Sequence, residues 1–86
     1  MGTVYEILME SATNGEPFSV HGARQLHDIA AEAYRGVVCY RSDVDSAVYG
    51  RAVRAVESYC GFYGLDPAPY LLTEQEMGEI EREFVA

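Results

Sequence analysis

The chain has 86 residues, with 14 carboxylates against 6 cationic side chains and a formal net charge of -8. That length suits one domain over residues 1–86, and 49% hydrophobic content is too apolar for an acidic disordered tail. The negative balance disfavours direct binding of nucleic acid, whose phosphates demand a cationic footprint; with no lysine present, Schiff-base and Walker-type lysine chemistry are excluded.

Residues 3–9, Thr-Val-Tyr-Glu-Ile-Leu-Met, are β-branched and aromatic in flavour. They read as a strand with Tyr5, Ile7 and Met9 on one face. Asn14-Gly15 is a strong reversal signal, and Pro17-Phe18-Ser19-Val20 is expected to return as a short second strand. Helical spacing begins near residue 22. Ala23, Leu26, Ala30, Ala33 and Tyr34 recur at threes and fours to about residue 35, with Ser19 placed to cap the start and Gly36 to end the helix. Val37 to Arg41 reads as a buried strand.

Ser42 caps the next helix, over roughly 43–63, with Asp43 and Asp45 near its positive end. Val44, Val48, Ala52, Ala55, Val56, Tyr59, Cys60 and Tyr63 cover so broad a face that this helix is expected to be central to the core. Gly64 ends it. Asp66-Pro67-Ala68-Pro69 forms a turn, and Tyr70-Leu71-Leu72 a short extended piece. Thr73 and Glu76 make a capping box for a last helix over about 74–84, whose apolar stripe is Met77, Ile80 and Phe84. The expected architecture is therefore a small α+β domain: strand or hairpin, helix, strand, long central helix, short acidic helix.

No motif for catalysis stands out. His21 and His27 are six residues apart, which does not place them on one helical face. Cys39 and Cys60 belong to different elements, and no Cys-x-x-Cys pair exists; two ordinary thiols in a reducing cytosol are expected. There is no Gly-x-Ser-x-Gly elbow, His-Glu-x-x-His helix or phosphate-cradling glycine loop. No enzyme activity, cofactor or bound metal is expected. The N-terminus has no basic region followed by an apolar run, and no apolar stretch is long enough to span a bilayer, so a cytoplasmic protein without membrane contact is expected.

Two features stand above that background. Seven tyrosines occur with no tryptophan; Tyr49 on a helix edge and Tyr70 in the proline turn are candidates for partner binding, because tyrosine is enriched at interfaces. The charge is also uneven: residues 66–86 carry six acids and one arginine. Glu76, Glu79 and Glu83 line one flank of the last apolar stripe, and Glu74 and Glu81 lie on the other. Such a row suits a protein partner with a basic surface. Because these acids repel one another, neutralising Glu76, Glu79 and Glu83 is expected to leave the fold intact.

In size and charge the chain resembles the small inhibitors that phages carry against host nucleic-acid machinery, anti-CRISPR proteins among them. The resemblance rests on no shared motif and transfers no residue role. It implies a non-enzymatic inhibitor occupying a nucleic-acid site on its target. Two other readings compete. One is an assembly or homodimer subunit using tyrosines and the small-residue strip Ser46, Gly50, Arg54 and Gly61. The other is a small-molecule or metal-dependent activity centred on His27, Cys39 and Cys60.

Overall fold

Thr3 accepts a hydrogen bond through Oγ1 from the Glu6 amide at 3.2 Å and starts a helix, α1 (Val4–Thr13). In the computed structural model, which describes residues 3–85, three further α-helices follow: α2 (Val20–Tyr40), α3 (Asp43–Phe62) and α4 (Glu74–Val85). A single 3-10 turn, Ala68–Tyr70, stands between α3 and α4. The described residues contain no strand, so the domain is all-helical rather than α+β.

None of the three expected strands forms. Residues 4–9 are apolar at almost every position, so a period of two and a period of 3.6 fit equally well. The deciding signals lie outside that window. Leu8 and Ala12, four apart, are the buried positions of α1, and Ile7, expected inside a sheet face, is 57% exposed. Asn14 and Gly15, the latter at φ 88°, reverse the chain between two helices, and Pro17 to Ser19 lead into α2 as a loop.

At Val37 to Arg41, the expected strand is instead the last turn of α2. Gly36 does not end that helix: it is buried, and a Cβ there would collide with the Asp45 carboxylate of α3, so its smallness serves close helix contact. The stop comes five residues later, where Arg41 takes the left-handed conformation at φ 50°. Ser42 then caps α3 by accepting from the Asp45 amide at 3.1 Å.

Helices α2 and α3 form an antiparallel hairpin. Ser19 meets Tyr59 near one end, Tyr34 packs on Tyr49 with ring centroids 5.6 Å apart and the rings tilted by 49°, and Gly36 meets Asp45 near the other. Buried alanines at 23, 30 and 33 of α2 and at 52 and 55 of α3 keep the pair close. The central helix is α2, not the expected α3: α2 packs against α1, α3, α4 and the 3-10 turn. On α3, Val56, Tyr59 and Cys60 are buried, but Val44 is 73% exposed and Val48 only half-buried, because α1 stops before reaching them.

The core closes at the end where Leu8, Leu26, Val56, Tyr59 and Cys60 meet. Phe18 seals it, stacked 5.0 Å from Tyr59 with Tyr63 and Tyr70 around it. The buried Tyr59 hydroxyl accepts from the Ser19 amide at 2.9 Å, so its polar atom is satisfied. Gly64 at φ 69° ends α3 as the sequence predicts.

Candidate functional site

Helix α4 begins on the capping box foreseen from Thr73 and Glu76. Thr73 Oγ1 accepts from the Glu76 amide at 3.1 Å, and Glu76 Oε1 accepts from the Thr73 amide at 3.0 Å. The second carboxylate oxygen, Oε2, lies 2.7 Å from His27 Nε2 on α2. Glu76 thus both starts its helix and ties it to its neighbour. These bonds, the Thr73 amide first, hold its carboxyl below the usual carboxylate range.

Two further contacts repeat the tie along the seam. The Tyr34 hydroxyl donates to Glu81 at 2.6 Å, and Arg35 Nε donates to Glu83 at 3.2 Å. Partner numbers rise together on both helices, so α2 and α4 run parallel. Between them lies the apolar stripe, with Ile80 buried and Met77 half-buried. The Glu81 carboxylate pushes the Tyr34 hydroxyl up to about 12 by favouring its protonated form, and burial adds to this.

The flank of α2 beside this seam carries its own acids. Asp28 lies 3.2 Å from His27 Nδ1, and Glu32 accepts from Arg35 at 2.8 Å. The result is two groups in which a nitrogen-bearing side chain lies between two carboxylates, Asp28–His27–Glu76 and Glu32–Arg35–Glu83, arranged along the seam. Both His27 nitrogens face carboxylates; an imidazolium donates to both, a neutral ring to only one. Glu79 lies on the same flank of α4, between Glu76 and Glu83, and is exposed. Five carboxylates therefore border one flank of a seam that holds one arginine and one histidine, and Glu81 lies on the other flank.

The structure sorts the sequence candidates accordingly. Glu76, Glu81 and Glu83 have bonding partners on α2, so neutralising Glu76 and Glu83 would alter contacts between helices as well as relieve repulsion. Glu74 and Glu79 face solvent, Glu79 with only a 3.5 Å contact from Gln75. Tyr49 is half-buried against Tyr34, and Tyr70 is half-buried on Phe18, so both tyrosines pack internally. Asp28 and Glu32 join the acidic surface without having been singled out. Their four-residue spacing was readable on the predicted helix; the pairing of His27 with a glutamate 49 residues away was not.

The alternative constellation of His27, Cys39 and Cys60 is not assembled. Cys39 sits in the last turn of α2, whereas Cys60 lies in the core at the opposite end of the hairpin, and both are free thiols. Burial pushes the Cys60 thiol up, which suppresses the reactive thiolate. Among the described residues, no three His, Cys, Asp or Glu side chains stand at metal-binding distance, and no helix is long and apolar enough to cross a membrane. No family model, curated protein or solved structure matches the chain.

Proposed function

We propose that this is a small non-enzymatic interaction protein that presents the α2–α4 seam to a basic surface, acting as an inhibitor where that surface binds nucleic acid. The observation that carries the reading is the alignment of Asp28, Glu32, Glu76, Glu79 and Glu83 along one seam. Internal pairing offsets only part of their charge. It also restrains all of these side chains but Glu79, which lowers the entropic cost of presenting them to arginines. From Glu76 to Glu83 the row spans roughly 10 Å at helical rise. That is about three phosphates of one strand, so the footprint is short.

The test separates acids free to bind from those that hold the fold. Asp28→Asn, Glu74→Gln and Glu79→Gln together keep the Glu76, Glu81 and Glu83 ties and should retain the parent's helical signal. Affinity for a basic partner captured on the immobilised protein is then measured at low and high salt. The triple variant should bind about tenfold more weakly at low salt, with the difference shrinking at high salt. Equal affinity for parent and variant at both salts would reduce the seam to a solvated face.

A further inference from the structure

A second surface has the opposite character. Helix α1 has 10 residues, half the length of the hairpin helices it lies across. Leu8 of α1 meets Gly22 of α2, while Val4 and Leu26 line the same hollow, so α1 runs antiparallel to α2 and its first turn ends midway along the hairpin. In line with it opens a groove of about 600 Å³, lined by Val4, Tyr5, Leu26, Ile29, Val48 and Ala52. Val44, one turn farther along α3, continues the Val48 row and stands 73% exposed. The groove is a prolongation of a cleft that already holds a helix.

Its charge is what commits the occupant. Arg51 lines the groove, and a smaller hollow of about 260 Å³ shares Tyr5, Arg51 and Ala55 with it and adds Arg54. Neither arginine has an ion-pair partner among the described residues, although the chain carries a net charge of -8. Glu6, in the first turn of α1, is the acid lining the groove. Two unpaired arginines beside an apolar floor complement an amphipathic helix with carboxylates on its flank.

We propose that the groove between the first turn of α1 and the α2–α3 hairpin is a docking site for an acidic amphipathic helix of a partner protein. The bound helix lies in line with α1, its apolar side chains on Ile29 and Val48 and its carboxylates against Arg51 and Arg54. This site is independent of the acidic seam and stands whether or not that seam binds a partner.

The probe is a synthetic amphipathic helix about three turns long, with leucines on one face and glutamates on its flanks, followed by fluorescence anisotropy. A matched peptide carries lysines in place of the glutamates. The parent should bind the glutamate peptide saturably and the lysine peptide at least about tenfold more weakly. Arg51→Glu with Arg54→Glu should weaken the glutamate peptide by about tenfold or more. Arg24→Glu with Arg82→Glu makes the same change in net charge on exposed positions away from the groove, and should cost far less. Val48→Asp should also abolish binding; if it unfolds, the arginine variants decide alone.

The proposal is overturned if the parent does not bind the glutamate peptide, if both peptides bind alike, or if the Arg51 and Arg54 reversal has no effect. It is equally overturned if the Arg24 and Arg82 reversal costs as much, since the field of the whole protein would then be responsible. Sedimentation equilibrium adds one more outcome: a parent dimer that Val48→Asp dissolves would assign the groove to a second copy instead.

Discussion

Gly22 and Glu76 show how much single positions carry in so small a protein. Gly22 is buried where α1 crosses α2, and a Cβ there would strike the Leu8 side chain. Leu8 belongs to the same buried cluster as Leu26, so a shift of its side chain disturbs core packing. Gly22→Ala should therefore destabilise the protein by roughly 1–3 kcal/mol despite the better helix propensity of alanine. Urea unfolding followed by circular dichroism checks this; an unchanged or raised midpoint would mean that α1 yields at no cost. Glu76 works by sharing its two oxygens between Thr73 and His27, so a single side chain links the start of one helix to the middle of another.

Helix α4 is the element held most by polar contacts. One side chain, Ile80, is buried on its described portion, and its ties to α2 run through Glu76, Glu81 and Glu83. Exposed pairs such as Arg35–Glu83 contribute only about 0–1 kcal/mol each. Backbone propensity therefore weighs more here than in α2. Gly78 sits in the interior of α4, and a Cβ added there would meet nothing within 4 Å. Gly78→Ala should stabilise the helix by about 0.5–1 kcal/mol by reducing the freedom of the unfolded chain. Slower amide exchange in α4 with no change in α1 would show it; unchanged exchange would mean that α4 does not open separately from the rest.

At the scale of the whole molecule the shape is flat, with extents of 45 × 27 × 16 Å. One layer of helices cannot enclose much volume, so the core is built from alanines, a few larger aliphatic side chains (Leu8, Leu26, Val56, Ile80), Cys60 and one cluster of aromatic rings. The α2–α4 docking depends on protonation at both ends of the pH scale. The Glu76 carboxyl is lowered in the fold, so its stabilisation is present above about 4.5, its ordinary value, and is lost as pH falls below that. The Tyr34 hydroxyl is raised from 10.0 to about 12, so its contribution is intact below pH 10 and is lost as pH rises through about 12. Amide exchange should find α4 loosening at both extremes, with Glu76→Gln removing the acid effect and Tyr34→Phe the alkaline one. Loosening that persists in both variants would place the titrating groups elsewhere.

Local chemistry written into neighbouring residues was legible without the fold. The caps at Ser19, Ser42 and Thr73, the stop at Gly64 and the reversal at Asn14-Gly15 each depend on contacts within a few residues. The acidic bias of the last helix was legible for the same reason. Secondary structure at residues 4–9 and 37–40 was not: the first run is apolar at every position but Glu6 and the second throughout, so both periods fit and only packing chooses between them. Packing chose helix where Leu8 and Ala12 could reach the core and where Gly36 let α3 approach. The parallel docking of α4 on α2 likewise joins residues 47–49 positions apart. No local pattern encodes such a pairing, and it decides which glutamates hold the fold and which remain free to meet a partner.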